Sequence, residues 1–237
     1  FPIFDSLAYG VVRGINPMLT LDERKEAIKG VPEGLALLNE LIDERRASPG
    51  DDFLSTLILA EDEGSKLSNL EMCALVGAVL GAGSDTAVDL HSYLIKNLLQ
   101  HPDQFELLKA DPSLVQGAIS ETLRYESSGK TGLARYASED LEINGNLVKK
   151  GQMVQLITST AGMDASIYND PRKFDIKRDH DKSISFGQGP HYCIGVTLVR
   201  SQTEVMLKEL FKRFPNLSLG SEIVYDYNHH NARRMDV

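Results

Sequence analysis

Residues 186–195 read FGQGPHYCIG, and no other stretch of the chain says as much about what it folds into. Three glycines, Gly187, Gly189 and Gly195, let the backbone turn tightly and approach a flat ligand closely. Cys193 stands at the entrance of a helix predicted over residues 193–214. There, unpaired N–H groups and the helix dipole favour a thiolate over a thiol. A thiolate so placed is a nucleophile or a metal ligand, and neighbouring backbone N–H groups tune its donor strength.

The loop residues leave several chemistries open. Nucleophilic catalysis needs a positioned base; His191 is two residues away, a spacing at which side chains need not meet. A zinc site needs three or four ligands, and no second Cys or His pair has ligand spacing nearby. Covalent haem attachment needs Cys-x-x-Cys-His, which is absent. One axial thiolate on a haem iron needs a single cysteine and a glycine-rich approach. A buried structural cysteine in a turn needs neither.

Working outward from the loop, residues 215–237 form a β-like tail, and residues 171–192 are a polar, irregular stretch too long for a simple turn. Residues 127–170 read as short strands, with Asn144-Gly145 inside LEINGNLV marking a two-residue hairpin and Met153 to Thr158 another β-like run. Asp111-Pro112 opens a helix to about Glu126 that contains ETLR, with Glu121 and Arg124 on one face. Ser68 and Glu71 have the form of a capping box for a long helix over residues 68–100, roughly 45 Å in length. The first half of that helix is apolar nearly all round, which predicts burial. GAGSDT, residues 81–86, interrupts it with poor helix formers, each Gly unfavourable by ~1 kcal/mol, and predicts a distortion. Further upstream, Val31, Leu35, Leu38 and Ile42 mark one helical face, ending at Ala47-Ser48-Pro49-Gly50, and a shorter segment follows from Asp51 to Ala60. Residues 1–126 are thus mainly helical, and the class is mainly α with a small segregated β region, α+β.

The 237 residues carry a net charge of −9, with 42% hydrophobic and 25% charged side chains. That balance argues against disorder and against nucleic acid as the main partner. The longest near-apolar run, Ala74 to Gly83, is about half of what a bilayer-spanning helix requires, so no membrane partner is expected. No charged-then-apolar leader opens the chain. Cys73 and Cys193 make no disulfide framework, and a cytoplasmic, reducing compartment fits. Cys73 reads as a small core residue, and His229-His230 as surface residues of the tail. The chain begins at Phe1, inside an apolar segment, and reads like a piece of something longer.

FGQGPHYCIG matches, at all six fixed positions, the F-G-x-G-x-H-x-C-x-G cysteine loop of the cytochrome P-450 haem-thiolate monooxygenases, and the chain resembles the C-terminal part of that fold over residues 1–237. GAGSDT resembles the family's central-helix motif, ETLR its Glu-x-x-Arg, and PRKFDIKR (171–178) its P-x-x-F-x-x-x-R, in the family's order. The resemblance implies haem b (iron protoporphyrin IX) with Cys193 as iron ligand and Phe186, Gly187, Gly189, Gly195 and Ala82 around the cofactor. His191 and Arg135 would reach its propionates. Asp85 and Thr86 would be the acid–alcohol pair facing dioxygen, and Glu121, Arg124 and Arg178 a structural cluster fixing the loop. Ser127 to Leu133, Ala78 and Ala82 would line part of the substrate pocket. It further implies oxidation of a small organic substrate with dioxygen, with electrons from a ferredoxin or flavodoxin and its reductase, drawn to Lys173, Lys177 and Lys182. The alternatives are a haem-thiolate peroxygenase, isomerase or dehydratase, which often lack the Asp-Thr pair, and a haem-binding remnant without turnover. Family members are usually longer at the N-terminus, so apolar surface should lie open for association.

Overall fold

Capping chemistry in the sequence fixes where three of the first five helices begin. The computed structural model describes residues 2–14, 19–60, 66–127, 132–220, 223–226 and 234–236. Phe1, residues 128–131 of the expected pocket lining and the His229-His230 pair therefore lie outside the described residues. Helix α1 spans Pro2–Gly14, α2 Leu21–Ala27, α3 Val31–Ala47, α4 Phe53–Leu59 and α5 Asn69–Gln100. Thr20 and Glu23 form a reciprocal capping box on α2, and Ser68 and Glu71 form one on α5, with Ser68 N donating to Glu71 Oε2 at 2.9 Å. Asp52 caps α4 by accepting from Ser55 N at 2.7 Å. Arg45, donating to its other oxygen, and Ser55 together hold the Asp52 carboxyl down at about 2.

The chain divides into two compact units, residues 1–86 and 87–237, the division falling within α5. In the first, Leu38 and Ile42 of α3 pack with Ile58 of α4 and with Met72 and Cys73 of α5. The apolar periodicity of α3 builds this core, and Cys73 is one of its small members.

The second unit continues with α6 (Pro102–Ala110), a 3-10 turn (Pro112–Leu114) and α7 (Val115–Tyr125). Strands β1 (Leu133–Tyr136), β2 (Leu141–Ile143), β3 (Asn146–Val148) and β4 (Met153–Leu156) follow, then α8 (Thr158–Ala161), α9 (Val196–Arg213), β5 (Val224–Asp226) and β6 (Arg234–Asp236). All pairing is antiparallel: β1 with β4, Leu133 opposite Leu156; β2 with β3; β5 with β6. Asn144 and Gly145 both have positive φ, 48° and 79°, as a type I′ hairpin requires. Leu94 and Leu98 of α5, Phe105 of α6, Ile119 of α7 and Leu207 of α9 share a core with Phe174 and Ile176 from the irregular segment. Lys96 and Glu126 form a buried ion pair between α5 and the end of α7. His91 Nε2 lies 3.0 Å from Thr203 Oγ1, tying α5 to α9. Because Thr203 gives its proton to Val199 O, the histidine is the donor there.

Four expectations need correction. The apolar first half of α5 is open rather than buried: Leu70 is 80% exposed, and Leu75 and Val79 are exposed too. The helix also runs unbroken through Gly81 and Gly83, where Ser84 and Thr86 donate to the carbonyls four residues back, both at 2.6 Å. Third, α9 begins at Val196, leaving Cys193 two residues ahead of the capping residue Gly195. The ten-residue run also understated α5. Its most apolar 18-residue window has mean hydropathy 1.3 and is 28% buried, so by length and composition the helix could cross a bilayer. A core helix covered by other segments passes the same measure.

Gly117 lets α7 approach the irregular segment. A Cβ there would lie 2.2 Å from Ile176 O, a backbone atom that cannot swing aside. Gly117→Ala should therefore destabilise the protein by about 1–3 kcal/mol through overpacking. A urea titration with unchanged m-value measures it.

Candidate functional site

The most heavily bonded side chains of the second unit are charged and buried. Arg124 grips Glu121 with two parallel bonds, Nε to Oε2 and Nη2 to Oε1, each 2.7 Å. Helical spacing of three residues places both on one face of α7, and the bidentate geometry is the strong form of this pair. The rest of the Arg124 guanidinium reaches the carbonyls of Gly162 (2.7 Å), Pro171 (2.7 Å) and Lys173 (3.1 Å). Arg178 Nε donates to Glu121 Oε1 at 3.3 Å, and its other nitrogens take the carbonyls of Asn169, Asp170 and Lys173. Asp175 N completes the set on Oε1 at 2.8 Å. Glu121, Arg124 and Arg178 thus come together around residues 162–178.

The cysteine loop lies further along the same unit. Cys193 N donates to Phe186 O at 2.9 Å, which closes the loop on itself. Gly187 and Gly189 hold φ of +77° and +69°, a region that penalises other residues. Gly189 to His191 form a 3-10 turn, and Tyr192 N returns to Gly189 O at 3.0 Å. Phe186 packs on the core of α5, α6, α7 and α9, and the Arg200 guanidinium of α9 stands 5.5 Å from its ring centroid. Cys193 itself is a free, half-buried thiol. His191 and Arg135 are exposed, Arg135 Nη1 donating to Ala134 O. Lys173, Lys177 and Lys182 are exposed as well.

The first unit holds Asp85 and Thr86. Asp85 is half-buried on a cavity of about 480 Å³ shared with Ser84, Asp5, Ser6, Tyr9 and Glu26. Thr86 and Ala82 are exposed and joined by the 2.6 Å hydroxyl-to-carbonyl bond. Ala78 is exposed, and a Cβ on Gly83 would meet nothing within 4 Å.

Sequence reading missed three contributors. Gln104 of α6 accepts from Ile176 N at 3.0 Å, fully inside the protein. Gly162 gives way to Arg124 O, which a Cβ would approach to 2.4 Å. His180 stands beside Glu121, its Nε2 3.6 Å from Oε2. None belongs to a motif; only the three-dimensional path of the irregular segment brings them in.

The cytochrome P450 family model matches residues 20–221. The chain is 41% identical over 208 residues to the epothilone C/D epoxidase of Sorangium cellulosum, covering 87% of this chain and 50% of that protein. It is 36% identical over 211 residues to the 6-deoxyerythronolide B hydroxylase of Saccharopolyspora erythraea, covering 88% and 52%. Among solved structures, epothilone D-bound cytochrome P450epoK superposes with a TM-score of 0.90 at 38% identity, over 99% of this chain and 59% of that one. The chain therefore spans about half the length of the curated relatives it matches.

That family binds haem b. The residues present fit such a group. One half-buried thiol is offered from a loop whose glycines leave room: a Cβ on Gly189 would meet nothing within 4 Å, and one on Gly187 only His191 O at 3.4 Å. Among the described residues no group of three or more His, Cys, Asp or Glu is placed to hold a metal.

Removing Arg124 would strand the Glu121 carboxylate, which is 0% exposed. Arg124→Ala should cost about 3–5 kcal/mol, enough to unfold the second unit, and Arg124→Lys should recover only part because its ammonium cannot pair bidentately. Circular dichroism and expression yield of the two variants check this.

Proposed function

The chain belongs to the cytochrome P450 family, and we propose that it is the C-terminal, haem-binding part of a monooxygenase that oxidises a small organic molecule with dioxygen. The observation that carries this reading is Cys193 in its closed glycine loop, placed downstream of the Glu121–Arg124–Arg178 cluster. Epothilone C/D and 6-deoxyerythronolide B, named in the relatives' activities, are the first substrates to try. An oxygen inserted into C–H or across C=C is the reaction expected.

Bound haem supplies iron-centred oxygen activation, which an electron-rich axial thiolate favours. The chain's own residues supply the rest. Cys193 would be the thiolate donor, with Phe186, Gly187, Gly189 and Gly195 shaping the backbone that lies against the cofactor. His191 and Arg135, both exposed, would turn to its propionates. Ala82 and Gly83 would keep the helix surface low where the substrate and oxygen lie. Thr86 Oγ1 and the Asp85 carboxyl would hold and pass protons to the oxygen, Asp85 drawing them from solvent through the cavity it lines. The Asp85–Thr86 pair favours dioxygen chemistry over the peroxygenase and isomerase alternatives. Lys173, Lys177 and Lys182 would attract an acidic ferredoxin or flavodoxin.

Two substitutions test the reading in the full-length protein. Cys193→Ser should abolish the long-wavelength carbon-monoxide difference band of thiolate-ligated haem while leaving some haem bound; a band that persists would remove Cys193 from the iron. Thr86→Ala should keep electron consumption but divert it to peroxide and water, with product per electron down about tenfold or more, within the range general acid catalysis supplies. Unchanged coupling would take the relay away from Thr86.

A further inference from the structure

His180 sits against the buried cluster without being bonded into it. Its Nε2 is 3.6 Å from Glu121 Oε2, beyond hydrogen-bond range, and both ring nitrogens are buried without a hydrogen-bond partner. The oxygen it faces is under-used. Glu121 Oε1 receives Arg124 Nη2, Asp175 N and Arg178 Nε, whereas Oε2 receives Arg124 Nε. On its other side the histidine borders a cavity of about 290 Å³ that it shares with Phe186, Gly187 and Tyr192 of the cysteine loop and with Arg200. The Arg200 Nε is likewise a buried nitrogen lacking a partner. An ionisable ring with spare donors thus lies between the carboxylate that organises the cluster and the loop that carries Cys193, with free volume beside it.

We propose that His180 is a positioning residue whose protonation state sets how residues 179–185, and through them the loop from Phe186 to Cys193, seat on Glu121. Neutral, the ring packs beside the carboxylate as an uncharged wedge. Protonated, it closes on Oε2 in a charge-assisted bond and draws the segment with it into a different seating. Glu121 and Asp179 favour the cation, Arg124 and Arg178 oppose it, and Asp181 and Arg200 border the cavity opposite. Burial is the strongest influence and takes the ring below its ordinary 6.5, so the neutral form prevails at neutral pH. With the folded value depressed below the unfolded one, the unfolded chain takes up the proton first on acidification. The contribution of His180 to stability is complete above 6.5 and is lost as pH falls toward the folded value. His91, also lowered by burial, acts in the same direction and is unchanged in the comparison below.

The proposal rests on the monooxygenase reading only for its spectral arm. Wild type and His180→Gln, as full-length haem-loaded protein, are compared from about pH 5.5 to 8. The wild type should lose its thiolate band on acidification with an inflection below pH 6.5, and the variant should lose that inflection. Superimposable profiles would overturn the proposal. The ring of His180, followed by NMR in the wild type, should titrate below 6.5; titration at or above it would also overturn the proposal. If the glutamine variant does not fold, His180→Asn is read in the same way; if neither folds, the wild-type ring titration decides. Absence of a thiolate band at every pH defeats the monooxygenase reading, and the ring titration still decides about His180.

Discussion

A single buried carboxylate organises the second unit. Burying an isolated charge is prohibitive, and Glu121 is tolerable only because four donors converge on it, from Arg124, Arg178 and the Asp175 amide. What the arrangement achieves is more telling than what it costs. Residues 162–178 form no ladder and no continuous helix, so their carbonyls need partners from elsewhere. The two guanidiniums supply them, reaching Gly162, Asn169, Asp170, Pro171 and Lys173. Glu121 holds both arginines in place, and the arginines hold an irregular backbone in one conformation. Gln104 and Gly117 finish the work at Ile176, one accepting its N–H and the other admitting its carbonyl.

How much of this was legible in the sequence depended on how local the signal was. The capping box at Ser68 and the Asn144-Gly145 turn are local chemistry, complete within four residues, and they stand in the structure as read; the Thr20–Glu23 box is equally local, and the sequence reading passed over it. ETLR and PRKFDIKR, which the structure brings together, and FGQGPHYCIG were visible as motifs and pointed to the family. The apolar first half of α5 misled, because all-round apolarity reports a surface that wants cover and not what covers it. The distortion expected at residues 81–86 does not interrupt the helix for a different reason: Ser84 and Thr86 bond back to its own carbonyls, so the weak helix formers are accommodated. His180, Gln104 and Gly162 had no signal at all, since their roles exist only once the irregular path is traced.

The open face of α5 and the half-length match to the relatives are consistent with one another. A helix this apolar, with Leu70 80% exposed, carries surface whose burial is worth roughly 25 cal/mol per Å² and which aqueous proteins seldom leave bare. The exposed Leu198 and Val205 of α9 and Leu147 of β3 extend the same condition to the second unit.

The position of Cys193 alters the argument about its sulfur. A cysteine in the first turn of α9 would owe thiolate character to the helix dipole, whose influence fades within a turn. Cys193 stands instead ahead of the cap, in a loop closed by its own amide on Phe186 O and turned by two glycines at positive φ. That loop has no strand or long helix of its own to hold it. Phe186 packs on the core, and residues 179–185 join the loop to the segment that Glu121, Arg124 and Arg178 bond. On the proposal made for His180, the bonding of the Glu121 network would bear on how the loop presents the thiol, through the backbone that joins the two.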